Sequence, residues 1–247
     1  MKTFKQFLLE SKSLNESPSK YKEGEFGYWW TVEKGNEDIE GKVYDGSIDC
    51  SNQKLTSLKG CPKEVDGDFD CSFNTLTSTE GAPQKVNGDF NCRRNNLTSL
   101  KGCPKEVRGD FSCGINQLTT LKGAPQKVGN SFWCGNNNLT SLEGCPKEVG
   151  FEFDCMFNML TSLKGCPQKV GTSFNCSFNN LTSLKGCPQK VKVHFSCSHN
   201  NLTSLEGSPK EVGGDFNCEY NKLTSLEGLP EKIGGKIYSG IKTTKKK

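Results

Sequence analysis

Fourteen cysteines and two histidines are the side chains best equipped for chemistry in this 247-residue sequence. Thiolates act as nucleophiles, bridge to one another or bind metal, and spacing decides which of these is open to them. The cysteines fall into two registers. Nine stand two residues after an apolar residue, almost always phenylalanine: Cys50, Cys71, Cys92, Cys113, Cys134, Cys155, Cys176, Cys197 and Cys218. Five precede proline: Cys61, Cys103, Cys145, Cys166 and Cys187. At the second place Ala82, Ala124, Ser208 and Leu229 stand instead, and a ligand or a bridging thiol would not be exchanged for alanine or leucine. That place asks for a small, mostly apolar filler, and the first register reads as buried free thiol, a small hydrophobe. There is no Cys-x-x-Cys and no His-rich spacing, which argues against zinc. His194 and His199 flank Cys197, but strand alternation turns Cys197 inward and His194 outward, so no dyad forms. Asp68, Asp70, Asp89 and Asp110 make an acidic strip beside Arg93 and Arg94. Paired carboxylates can bind metal or act as acid and base. An open, solvated sheet offers nothing to shift their pKa values, so steering a basic partner suits them better. The expectation is a non-enzymatic chain with no catalytic residue, no metal and no cofactor.

The elements that position these residues are written in one repeated phrase, Phe-x-Cys-x-x-Asn-x-Leu-Thr-Ser-Leu-x-Gly-Cys-Pro-x-x-Val-x-Gly-x. It recurs every 21 residues from Ile48, nine times plus a partial tenth starting at Ile237, without insertion. A fixed period near 20 residues marks a solenoid, in which each unit covers its own slice of core. That accommodates an apolar fraction of only 32%. Phe-x-Cys is a short strand with both named side chains inward. Asparagine ends it, from Asn74 to Asn221, with Gln53 the one departure. Its amide can bond the backbone of its own turn and of a neighbouring one. Two leucines point into the core, with Thr79 the sole exception at the second place. Gly60 and its equivalents suit a positive φ, and proline then imposes an extended path that excludes helix there. The expected fold is a repeat solenoid: a parallel sheet on one face, extended and turn structure on the other, and almost no helix beyond a short N-terminal one.

Outside the repeat, residues 1–10 read as an amphipathic helix with Phe4, Phe7 and Leu8 on one face. Residues 11–22 read as a flexible linker, and residues 23–47 as a hairpin that caps the solenoid with Phe26, Trp29 and Trp30. A ligand pocket between the two tryptophans is the sharper alternative. The solenoid spans 48–240 and a basic tail 241–247. The net charge of +4 lies largely in that tail and argues for neither nucleic acid nor membrane. No apolar run is long enough to span a bilayer. The first residues lack the apolar core and cleavage site of a secretory signal. Stacked strands would set neighbouring cysteines about 4.8 Å apart, close enough for bridges between coils. Repeated thiols without a secretion signal favour a reducing compartment instead.

Phe-x-Cys-x-x-Asn-x-Leu resembles the Leu-x-Leu-x-x-Asn-x-Leu of leucine-rich repeats. Leu-x-Gly-Cys-Pro is similar to the proline-bearing segment of their short bacterial class. The resemblance covers about residues 48–240, with phenylalanine and cysteine replacing two leucines and one residue added between two core positions. It implies a concave sheet face that binds a protein partner. The first eleven residues, Met1 to Ser11, resemble the capsid-targeting leader of internal head proteins of T-even-type phages. That resemblance implies cleavage after the triplet Leu8-Leu9-Glu10, with Ser11 as the new N-terminus. It also implies a location in the virion interior, or in the host cytoplasm after delivery.

The repeated residues are structural, so function falls where copies differ. Trp133 breaks a register that is otherwise small or polar and projects from the sheet. Met156 and Phe157 lie one coil on, and Ile115 one coil back. With Arg93, Arg94, Asp89 and Asp110 these make up the candidate partner-binding set, and an exposed aromatic among apolar neighbours is the expected anchor. Phe73, Phe178 and Tyr220 share the register of Phe157 and read as an edge stack that helps the coils adhere. A structural virion or surface-associated repeat protein, with no specific soluble partner, is the alternative.

Overall fold

A computed structural model describes residues 19–241. The amphipathic leader with its cleavage triplet, most of the linker and the lysine tail therefore lie outside the described residues. Between residues 43 and 238 the chain winds as a parallel β-solenoid. Twenty two-residue strands form two ten-stranded parallel sheets, and strand neighbours are one coil apart. The first sheet pairs Phe69 with Phe90, Phe90 with Phe111, and so on through Phe216. The second pairs Val65 with Val86, Val86 with Val107, and onward to Ile233. Only one sheet was expected. The second exists because proline delivers the chain extended into Lys/Glu-Val, and identical coils bring those backbone groups opposite one another. Unpaired, they would be a buried liability.

The core is a set of columns. Phe69 to Phe216 are at most 1% exposed. Their rings follow one another at centroid distances from 5.0 to 5.8 Å. All fourteen cysteines are buried and free, so none bridges between coils. Thr79, at a leucine place, is fully buried and satisfied: its hydroxyl donates to the Lys101 carbonyl at 3.0 Å.

The asparagine column ties the coils together. Asn95 Nδ2 donates to the Cys71 carbonyl of the preceding coil at 3.0 Å and to the Cys92 carbonyl of its own at 3.1 Å. Its Oδ1 accepts the Leu76 N–H at 3.0 Å. Gly60 and its equivalents take φ between +84° and +99°, as the turn requires. A second left-handed column was not anticipated. The residue before each asparagine has φ between +51° and +57°, and it includes Phe73, Ile115, Phe157, Phe178 and Tyr220.

The N-terminal end departs from the expected hairpin. Phe26–Tyr28 is one helical turn that runs into a π-helical turn, Trp29–Glu33, before the chain extends to the first strand, Val43–Tyr44. The helical turn puts Phe26, Trp29 and Trp30 on one face, whereas a strand would send the adjacent tryptophans to opposite faces. Phe26 is fully buried and Trp29 is 4% exposed, closing the solenoid's end. Trp29 Nε1 donates to Gln53 Oε1 at 3.0 Å, the one coil where glutamine replaces asparagine. Trp30 stacks on Phe26 at 5.7 Å and meets Tyr44 edge-on, so packing takes the place of a ligand pocket between the tryptophans. The linker also ends earlier than residue 22: Tyr21 is buried, and its hydroxyl donates to Asp38 at 2.8 Å.

Candidate functional site

Most coils of the phenylalanine sheet show the residue between Phe and Cys at least partly to solvent, Ser112 being buried. Trp133 occupies that place between Ser112 and Asp154 of the adjoining strands and is 36% exposed. A shallow groove of about 190 Å³ lies beside it, lined by Arg93, Ile115, Trp133, Asp154 and Met156 among others. Four of the residues picked from sequence, Trp133, Met156, Ile115 and Arg93, are thus brought to one surface. Gly114 and Gly135, in the column that holds Met156, keep the groove open.

Phe157 lies outside the groove and opens a stack. Its ring lies 4.2 Å from Phe178, Phe178 lies 4.0 Å from His199, and His199 lies 4.2 Å from Tyr220. These four neighbours cover one another's ring faces and leave edges to solvent, as an adhesive edge stack should. Ile115, in the same left-handed column, has no such partner. It is a β-branched residue at φ +54° and 41% exposed, a conformation that disfavours its side chain. Arg94 reaches back over Phe73, 5.0 Å from the ring centroid, with Arg93 at 5.5 Å, so Arg94 braces the edge of the sheet away from the groove.

Asp89 and Asp110 leave the candidate set. Asp68 Oδ1 accepts the Asp89 N–H at 2.8 Å, Asp89 accepts the Asp110 N–H at 2.7 Å, and Asp110 accepts the Ser131 N–H at 2.7 Å. The acidic strip is a ladder that satisfies backbone donors at the corner of the coils. Ser47, Ser173, His194 and Asp215 fill the same post elsewhere. Burial pushes the Asp89 carboxyl up, and neighbouring Asp110 and Asp68 add to this against the Asp110 N–H.

The ionisable groups around the groove are held by burial and by neighbouring hydrogen-bond donors. Burial raises the Asp154 carboxyl, opposed by the Met156 N–H at 2.8 Å and Asn175 Nδ2 at 3.1 Å, so it is held rather than poised. Glu152 is raised too, first by burial and then by Asp154, with the Trp133 side chain pulling the other way. Burial drives the Cys134 and Cys155 thiols well above their ordinary range, which keeps them protonated and inward. His194 Nδ1 accepts the Asp215 N–H at 3.1 Å and is occupied by the ladder. Among the described residues no group of three or more His, Cys, Asp or Glu side chains could hold a metal ion. The left-handed column was the feature hidden from sequence reading. Its one signal is Asn52 and Asn136 at the place before the invariant amide, a residue type that tolerates positive φ.

No protein-family model and no curated protein matches this sequence. Among solved structures, YopM from Yersinia enterocolitica WA-314 is similar at 19% identity and a TM-score of 0.37. That match covers 96% of this chain, which spans 64% of the YopM chain. A likeness at this level adds nothing to what the coils themselves define: a leucine-rich-repeat-like solenoid of 21-residue units.

Proposed function

We propose that this chain is a non-enzymatic protein-binding module and that the surface formed by Trp133, Met156, Ile115 and Arg93 on the phenylalanine sheet receives the partner. One observation carries the reading. The one large aromatic in this column within the nine full coils, with Tyr238 following only in the partial tenth, stands over a groove with an apolar rim and one arginine. Tryptophan and arginine at the centre of a patch are the usual energetic anchors of an interface. The strained, exposed Ile115 fits the same role, because a strained side chain that gains nothing internally is explained by an external contact. The test is affinity capture from host extract with the wild type and with Trp133→Ala/Met156→Ser. A specific partner retained by the wild type and lost by the variant supports the reading, and equal capture by both removes the anchor. In that last case a structural repeat protein without a specific partner becomes the better account.

A head-packaged phage protein, cut after Glu10 and delivered to a host, is the finer version of this proposal. It rests on residues Met1 to Ser11 alone, and the fourteen free thiols suit the reducing compartment it calls for. Intact mass from virion material decides it: a chain beginning at Ser11 supports the proposal, and a retained Met1 refutes it.

A further inference from the structure

We propose that the outer face of the valine sheet is a second docking site, and that it takes an extended acidic peptide segment. Two grooves of about 580 and 530 Å³ lie there, each larger than the groove beside Trp133. They share Val128 and Glu148, so they form one trough across the five coils from Val107 to Val191. Four coil steps of about 4.8 Å make it about 19 Å long, the reach of about six extended residues.

The trough is open because of glycine. Gly129, Gly150 and Gly171 stand at three successive corners, bounded by Arg108 on one side and Lys192 on the other; earlier coils carry Asp66 and Asn87 there, and glycine returns at Gly213 and Gly234. A Cβ on any of the three would collide with a carbonyl oxygen of the preceding coil, so no side chain fills the space. Arg108 stands at one end and Lys192 at the other.

Its charge selects the occupant. Arg108, Lys127, Lys147, Lys169, Lys190 and Lys192 line it against only two carboxylates, Glu106 and Glu148. Lys169 is engaged by Glu148 at 2.5 Å and Lys190 by Glu211 at 2.9 Å. The other four cations have no ion-pair partner among the described residues. The sequence behind this is a lapse in a pattern. The residue before valine alternates Glu64, Lys85, Glu106, Lys127, Glu148, and then lysine comes twice, at Lys169 and Lys190. No Asp or Glu occurs between residues 155 and 205. A basic side chain in every coil of the trough fits an anionic chain lying along the solenoid axis. Glu106 and Glu148 favour a peptide over a nucleic acid. A phosphate backbone would bring a charge to every step and meet both carboxylates, whereas a peptide can place glutamates only where cations stand.

This site faces away from the proposed Trp133 surface and is tested separately. The full chain is titrated against a fluorescein-labelled decapeptide of alternating Glu and Val, followed by fluorescence anisotropy. The Gln-Val counterpart, a single-stranded DNA decamer and a heparin fragment serve as competing probes. The Glu peptide should bind, lose affinity as salt rises, and bind at least tenfold more tightly than the Gln peptide. Arg108→Glu/Lys192→Glu, both at exposed positions, should weaken it at least tenfold with an unchanged thermal melt, and Lys127→Gln/Lys147→Gln should weaken it less. Trp133→Ala should leave it unchanged. Equal binding of the Glu and Gln peptides, indifference to the charge reversals, dependence on Trp133, or tighter binding of DNA or heparin would each overturn the proposal.

Discussion

Replacing Asn137 by alanine tests the claim that the amide column, more than the strands, holds neighbouring coils together. Asn137 is 8% exposed. Its Nδ2 donates to the carbonyls of Cys113 at 3.1 Å and Cys134 at 3.2 Å, and its Oδ1 accepts the Leu118 N–H at 3.0 Å. Alanine strands the buried Leu118 N–H in the low-dielectric centre of the solenoid and takes one of two amide donors from each carbonyl, since Asn116 Nδ2 still serves Cys113 and Asn158 Nδ2 still serves Cys134, both at 3.1 Å. At about 1–3 kcal/mol for the stranded N–H and about 1 kcal/mol for each of the two lost carbonyl bonds, the loss should be about 4 kcal/mol. A strand of two residues contributes too few ladder bonds to absorb it. Because a solenoid's stability is a chain of nearest-neighbour terms, the damage should centre on the coils of Cys113 and Cys134. Denaturant unfolding gives the magnitude, and amide hydrogen exchange gives the location. Asn137→Asp sharpens the test: it keeps an acceptor for Leu118 but aims a carboxylate at two carbonyls, so its defect should lessen as acid protonates it. A loss below about 1 kcal/mol for the alanine variant, or exchange that quickens evenly from end to end, would refute the reasoning.

The buried thiols should make the fold sensitive to base. Burial pushes Cys166 and Cys187 up to about 12 from an ordinary 9.0, so their contribution is complete below pH 9 and is lost as pH climbs from 9 towards 12. Each such thiol adds about 1.4 kcal/mol of destabilisation per pH unit in that window, readable as a falling melting temperature. Cys218, at the open end and raised only to about 11, should be the first in the phenylalanine-sheet register to react with iodoacetamide. At the other end Asp38 would be raised by burial, but hydrogen bonds from Lys20, the Glu40 N–H and Tyr21 outweigh this and hold it down at about 2. Its stabilising contribution is present above about pH 3.8 and lost as pH falls towards 2, so tryptophan fluorescence should report the cap loosening there before the coils melt. Ile115→Asn relieves a left-handed β-branched residue and should stabilise the fold by about 1 kcal/mol while weakening capture of the partner, measured by thermal melt and pull-down.

Much of this molecule is written in its repeat, because a column that must be buried in every coil is conspicuous in every copy. The phenylalanine, cysteine, leucine and valine columns, the amide ladder and the glycine turn all follow from residue type and spacing. What stayed hidden depends on neighbours in space. The Asp68, Asp89 and Asp110 carboxylates read as a charged strip until the backbone N–H groups 21 residues away are placed beside them. Lys/Glu-Val reads as a plain extended return until stacking turns it into a sheet. The run Phe26-Gly27-Tyr28-Trp29-Trp30 has the composition of a strand, and only the need to cover one end of a core curls it into helical turns. At the groove, a single deviant tryptophan was visible in the sequence, but the glycine-floored trough behind it was not, since glycine at a corner looks like any other turn.

Nine near-identical coils raise a problem of alignment that an ordinary globule does not face. A cap slid along by one unit would meet almost the same leucines, the same turns and the same ring stack, so burial alone distinguishes poorly between correct and shifted docking. Gln53 supplies the distinction. Every later coil presents an asparagine whose amide is already committed to two backbones, while Gln53, one methylene longer, offers its oxygen to the Trp29 indole. That single contact acts as an address, telling the folding chain which coil is the first.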